Sequence, residues 1–301
     1  MRVDSTLQAR YYRVNYDTAF IGRPQQRLTL RARAKASGNS LHTDTELEGK
    51  KLYANLHTKT RATLYLGANY RGISAGVSLN PASFKKKNSD YEFNVNIFTN
   101  RYNIEASYQD AHTLSGTIKI DGTPYHIPIG LVHTKIFQLT GCYTFNHRRF
   151  SWPAAFTQSY IQKRSAGSWL IGFAYQAGSL KINTELFNEP WKGRIYMGDL
   201  AVGGGYAHNF VWHRKWLVHL SLIPMLIVLN RNNITVNGER IDFPTHFPEM
   251  LLSEHLAVVY NFSHKYFLCF NAKGNSNIFV KNKHYSRQSQ WQTQLSFGMR
   301  I

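Results

Sequence analysis

The sequence predicts an all-β chain, a transmembrane antiparallel up-and-down β-barrel of about twelve strands. Three observations carry that prediction. Apolar and polar residues alternate with period two in run after run, short and long connections alternate between the runs, and aromatic residues gather beside the short connections. A length of 301 residues suits one barrel as well as two soluble domains. Mean hydropathy is −0.37, and no run approaches the roughly 18 consecutive apolar residues of a membrane-crossing helix. Neither fact counts against a membrane barrel, in which only every second residue meets lipid.

The first run sets the pattern. Leu28, Leu30, Ala32, Ala34 and Ala36 alternate with Thr29, Arg31, Arg33 and Lys35; a strand gathers those cations on one face, where a helix would spread them around its circumference. Over residues 60–70, Ala62, Leu64, Leu66 and Ala68 oppose Arg61, Thr63, Tyr65 and Asn69. After a tight turn at Arg71-Gly72, Ile73, Ala75, Val77 and Leu79 oppose Ser74, Gly76 and Ser78. Tyr91, Phe93, Val95 and Ile97 then oppose Glu92, Asn94 and Asn96; beyond residues 99–101, Tyr102, Ile104, Ala106 and Tyr108 oppose Asn103, Glu105, Ser107 and Gln109. Further strands are expected near 134–146, 167–178, 198–211, 215–229, 250–262 and 264–275. The last runs from about Ser289 to Ile301, with Trp291, Leu295, Phe297, Met299 and Ile301 on one face.

Short turns are expected near 71–72, 99–101, 212–214 and 263–265, and long loops near 37–57, 81–90, 110–133, 179–197, 230–249 and 276–288. Such alternation fits tight turns on a periplasmic rim and loops on an extracellular one, with both termini on the short-turn side. Tyr70, Phe98, Tyr102, Phe210, Trp212, Trp216, Tyr260, Phe262 and Tyr266 flank the short turns, as expected of a girdle at headgroup level. A soluble sandwich or lipid-carrier barrel would show the same alternation with the apolar faces turned inward. Strand number, loop asymmetry and the cationic stripe favour apolar faces outward.

The outer membrane is therefore the expected location, and the amphipathic last strand resembles the signal read by barrel-assembly machinery. The start, Met1 to Thr6, lacks the apolar core of a signal peptide, so a leader is expected to have been removed. Residues 1–26 are expected as a periplasmic lead-in and 27–301 as the barrel. A single chain is expected to close it, giving a monomer.

Formal charge is +19, from 36 Lys plus Arg against 17 Asp plus Glu. Such an excess suggests a polyanion partner. No nucleic-acid recognition module appears, and a stripe locked in strand alternation reads more simply as a lumen wall. Arg31, Arg33, Lys35 and Arg61 are thus the candidate binding residues, with outer-membrane lipid, and lipopolysaccharide in particular, as the partner met by basic loops such as Lys85-Lys86-Lys87. Cys142 and Cys269 are read as buried free thiols. No Cys/His spacing of metal-binding type and no phosphate-binding glycine loop is present, so no metal and no cofactor are expected.

One connection breaks the rule. Where a short turn is due, the chain gives a long segment with Arg148, Arg149, Phe150, Trp152, Phe156, Gln158, Tyr160 and Arg164. A rich segment at an economical rim has a packing site or a task. Residues 147–166 are expected to fold into the lumen as a plug, against inward Leu170, Gly172, Ala174, Gly203, Gly205, Ile223, Met225 and Ile227, with Arg148, Arg149 and Arg164 pairing Glu92 and Glu105. A rival use of that apolar wall is to hold an acyl chain.

The stretch Asn146–Trp169, NHRRFSWPAAFTQSYIQKRSAGSW, resembles the hallmark of an outer-membrane barrel family, domain-of-unknown-function family 4421. Tyr70-Arg71-Gly72-Ile73-Ser74, Leu79-Asn80-Pro81, Asp90 to Asn94, and Tyr16-Asp17-Thr18 with Ile21 through Pro24 are similar to other pieces of it. The resemblance implies an outer-membrane barrel and no particular activity. The role expected is structural, or recognition of an anionic lipid or small solute. Two alternatives stand beside it. A lipid-modifying enzyme of lipase or acyltransferase type would need a hydroxyl against a histidine; His112 with Ser115, His147 with Ser151 and Ser253 with His255 are the candidates among 13 histidines. A narrow anion-preferring channel would need a continuous polar path.

Overall fold

The computed structural model describes residues 14–301 except 27, 48, 71–72, 80–89, 187–188, 232, 242–248 and 282–283. The turn expected at 71–72, the triple-lysine run and nearly all of the 81–90 connection lie outside the described residues. Seventeen strands are described in chain order: β1 (Ile21–Gly22), β2 (Leu28–Leu47), β3 (Lys50–His57), β4 (Arg61–Tyr70), β5 (Ile73–Leu79), β6 (Tyr91–Phe98), β7 (Tyr102–Ile120), β8 (Thr123–Thr144), β9 (Ile161–Gln162), β10 (Ala166–Leu186), β11 (Glu189–Trp212), β12 (Trp216–Asn230), β13 (Asn233–Val236), β14 (Glu239–Ile241), β15 (Glu249–Asn261), β16 (Tyr266–Lys281) and β17 (His284–Arg300). A single-turn helix, α1 (Trp152–Phe156), lies between β8 and β9.

Ten strands close an antiparallel ring, β5 and β6 are attached to it through β4 and β7, and the β13–β14 hairpin extends from β11. The ring runs β2-β17-β16-β15-β12-β11-β10-β8-β7-β3 and returns to β2. β4 continues the line of β3 along the same edge of β2, Arg61 opposite Ser37 where β3 ended with His57 opposite Ser40. The short β5 pairs with β4 and the short β6 with β7, both at the end of the barrel that holds the chain termini. So all twelve expected strand runs are present. Two of them widen the wall at one end; at the other, β3 pairs with β7 directly.

The faces are turned as a membrane requires. On β12, Trp216, Leu220, Leu222 and Leu226 are exposed while Leu217, His219, Ser221, Ile223, Met225 and Ile227 are buried. On β17, Leu295 and Phe297 are exposed and Ser296 and Arg300 are buried. An apolar surface outside and polar groups within exclude the inward-apolar soluble arrangement. Among the expected girdle residues, Tyr70, Tyr102, Trp212, Trp216, Phe262 and Tyr266 are exposed. Phe98 departs from that group: it faces inward and stacks on Phe156 at 5.0 Å.

Four of the expected long loops are largely strand. β2 reaches Leu47 and β3 starts at Lys50, β7 and β8 meet at Asp121-Gly122, β10 reaches Leu186 and β11 starts at Glu189, and β16 reaches Lys281 and β17 starts at His284. With 20 to 24 residues, β2, β8, β10 and β11 far exceed the roughly 9–11 that cross a bilayer. Past the bilayer both faces of a ribbon meet water, so the period-two signal fades although the ladder continues.

Candidate functional site

The interior has two zones. The first is apolar and holds the segment between β8 and β10. Ser151 caps α1, its hydroxyl accepting from the Ala154 amide, and Pro153 suits the first turn, where its missing N–H costs nothing. All five helix residues are buried, and Phe150 and Trp152 are fully so. They pack with Phe156 against Leu170, Ala174, Ile223, Met225, Leu251 and Phe267, inward residues of the wall. Gly203 allows the wall itself to pack closely: a Cβ there would sit 2.1 Å from the Pro224 carbonyl, so any side chain would drive β11 off β12.

Polar anchors hold the segment within this apolar zone. Trp152 Nε1 donates to Thr144 Oγ1 at 2.9 Å. Asn209 Nδ2 donates to the Ser151 carbonyl and to Gln162 Oε1, both at 3.0 Å, and its oxygen meets His219 Nδ1 at 2.8 Å. Gln162 accepts from the Ser151 amide and donates to the Arg149 and Arg164 carbonyls. Gln158, with φ of 50°, donates to the Ala155 carbonyl and to Cys269 Sγ. Both cysteines are buried and free. On the other flank the chain's first described residues join in. β1 pairs with β9, the Asp17 amide donates to the Arg148 carbonyl, and Tyr160 meets Arg23 at 2.6 Å and the Tyr16 ring at 5.5 Å.

The expected arginine pairs do not form. Arg149 meets Asp17 at 3.2 Å, and Arg149 and Arg164 both lie over the Phe20 ring. Glu92 and Glu105 are taken by wall cations instead. Those cations reach the carboxylates across the lumen, from β2 and β4 to Glu92 on β6 and from β16 to Glu105 on β7.

The second zone is polar and basic. A cavity of about 700 Å³ is lined by Arg31, Arg33, Lys35 and Arg61, with Glu92 and Asn94 of β6, Lys273 of β16, and Phe156 and Thr157 of the inturned segment. Lys35 and Arg61 grip the two oxygens of Glu92 at 2.6 and 3.0 Å, and Ser37 adds a third bond at 2.6 Å. Arg31 donates to the Thr157 carbonyl and lies over the Phe267 ring; Arg33 stacks on Tyr65 at 5.0 Å. All four sequence-selected cations thus meet in one chamber, floored by the segment that also stood out in the sequence. Asn209, Gln162 and Lys273 were missed, because single polar residues in otherwise apolar or alternating runs carry no periodic signal.

None of the sequence-paired Ser–His candidates meets. His112 points to Asp110, Ser151 bonds Asn100, and Ser253 is not the partner of His255. A different set forms: Ser221 Oγ lies 3.2 Å from His255 Nδ1, and His255 Nε2 lies 2.8 Å from Glu105, which also holds Lys273 at 2.5 Å. The Trp152 and Phe156 rings cover His255 at 5.5 and 5.8 Å.

In shape the chain is similar to outer-membrane barrels. The translocator domain of autotransporter NalP from Neisseria meningitidis aligns over 100% of this chain and 95% of its own, at 9% identity and a TM-score of 0.37. The outer-membrane protease OmpT from Escherichia coli aligns over 92% and 97%, at 10% identity and 0.41. The P. putida toluene transporter TodX aligns over 91% and 90%, at 7% identity and 0.27. No curated protein matches the sequence. The family model described as Domain of unknown function (DUF4421) matches residues 15–300. With the match spanning the whole barrel and the inturned segment, the chain belongs to the DUF4421 family.

Proposed function

We propose that this is an outer-membrane barrel, plugged by residues 147–166, whose basic chamber binds the phosphate or carboxylate of an anionic lipid or small solute. The observation that carries the reading is the convergence of Arg31, Arg33, Lys35 and Arg61 on one cavity. Glu92 answers Lys35 and Arg61, and Glu105 answers Lys273. Arg31 and Arg33 have no carboxylate partner among the described residues, only aromatic rings and a carbonyl. Half-buried guanidinium groups without counter-ions are costly, and an anion between them offsets that cost with charge-assisted bonds. The outer membrane is the matching location because the apolar belt needs lipid around it.

Conductance of the refolded protein in a planar bilayer tests the plug. A silent wild type beside a conducting variant lacking 147–166 supports it; steady wild-type current refutes it and points to an anion-preferring channel. Calorimetry tests the chamber. Inorganic pyrophosphate and lipopolysaccharide are the two probes, separating a free phosphate from a lipid-borne one. The R31A/R33A double variant is expected to weaken the binding partner about tenfold or more, each charge-assisted bond being worth roughly 1.5–3 kcal/mol.

A second reading, hydrolysis of a lipid ester, has the Ser221–His255–Glu105 chain in its favour. Against it, neither Ser221 nor His255 lines the chamber, and plug rings cover the histidine. A fluorophosphonate probe is expected to leave Ser221 unlabelled; labelling lost in S221A would establish the enzyme.

A further inference from the structure

We infer a binding site for a divalent metal ion of the zinc type on the outer face of the barrel, formed by Asp110, His112 and His133. Asp110 and His112 lie on β7 and His133 on β8, and one ligand atom from each falls within 4.8 Å of the others. His133 Nε2 lies 2.6 Å from Asp110 Oδ1, and His112 Nε2 lies 3.2 Å from that same oxygen. The two rings stack face to face, centroids 3.8 Å apart and 19° from parallel. Two imidazole nitrogens and a carboxylate oxygen converging on one point form the ligand set zinc prefers, at about 2.0–2.2 Å per bond.

Three features show that the cluster is built rather than accidental. First, hydrogen bonding alone would be better served by one histidine on each carboxylate oxygen. Instead both rings share Oδ1, while Oδ2 faces Lys135 at 3.4 Å. That lysine takes up Oδ2 and leaves Oδ1 to the rings, while its charge opposes a cation there. Second, the β7–β8 register shifts between Ala111 and Leu114, and such a bulge re-aims the side chains around it. Third, the bulge is pinned from inside the barrel. The buried Asp90 accepts the His112 amide at 2.8 Å and the Thr113 amide at 3.2 Å, and its other oxygen accepts the Thr113 hydroxyl at 2.5 Å. His112 is thereby held against His133.

The location follows from the ladder. Tyr108 pairs with Phe137, both exposed on the apolar belt, and the next outward pair towards the far rim is Asp110 with Lys135. The cluster stands where the apolar belt gives way to polar surface, its side chains between 19% and 38% exposed. Three protein ligands at a partly exposed place leave positions open to water or to an oxygen of a neighbouring molecule.

The test uses the whole barrel, refolded in detergent without a histidine tag. Cobalt(II) absorption and zinc calorimetry are read on wild type, H112A/H133A, D110N and K135Q. One ion per wild-type chain is expected, with visible cobalt bands that vanish in the double-histidine variant and affinity weakened at least about tenfold in D110N. Removing a neighbouring positive charge in K135Q should tighten or preserve binding. Heat-modifiable migration on gels confirms that each variant is folded. Equal zinc and cobalt binding by wild type and H112A/H133A would overturn the site, as would a wild type that binds neither ion.

Discussion

At the scale of single residues, the inturned segment is held by a few buried polar groups as much as by its rings. Asn209 is fully buried and serves three partners, the Ser151 carbonyl, Gln162 and His219. Asn209→Ala leaves those groups without their bonds, and the urea midpoint of the refolded barrel should fall by the equivalent of about 1–3 kcal/mol. Trp152→Ala removes the largest fully buried side chain among the described residues and should cost about 3–5 kcal/mol. Trp169, 68% exposed on the outer face, is the control, and Trp169→Phe should leave the midpoint nearly unchanged. The sequence singled out Trp152 and Phe150, both fully buried here, because large apolar residues stand out beside a short rim. It misplaced Phe98, whose position next to a turn is shared by girdle and lumen residues alike. The metal cluster was illegible, since Asp110 and His112 meet His133 only through hairpin register.

At the scale of elements, alternation located every expected strand run, because inside a bilayer one face must be apolar and the other need not be. It failed where the ribbons leave the membrane, as in the far halves of β7 and β8. The glycines of β11 were marked as inward and small, and the structure adds why: Gly203 and Gly205 would each place a Cβ 2.1 Å from a carbonyl of β12. Gly203→Val should therefore prevent closure of that ladder, read as loss of the heat-modifiable folded band, whereas Val202→Ala on the outer face should not.

At the scale of the whole molecule, the apolar belt fixes the solvent. Leu222 and Leu226 are 50% and 48% exposed on β12. Leu222→Arg should destabilise the barrel in bilayers by about 2–4 kcal/mol if it lies near the midplane, with the effect shrinking for positions nearer either rim. The ring of ten with two attached strands was not readable from sequence, which counts runs but cannot see that β3 reaches past β5 and β6 to pair with β7. The four-cation chamber was readable because three of its members share one strand face.

β2 and β17 form the pairing of greatest sequence separation in the ring, and the Leu28 and Ile301 backbones exchange two hydrogen bonds beside it. Without that ladder the ring is an open sheet, so closure waits until β2 and β17 meet. Contacts of such separation form late in folding. The interior belongs to mid-chain and early residues, α1 and β9 with β1 against them. The β2–β17 ladder is thus the clasp of the cylinder: the wall cannot shut around α1 and β9 until it fastens.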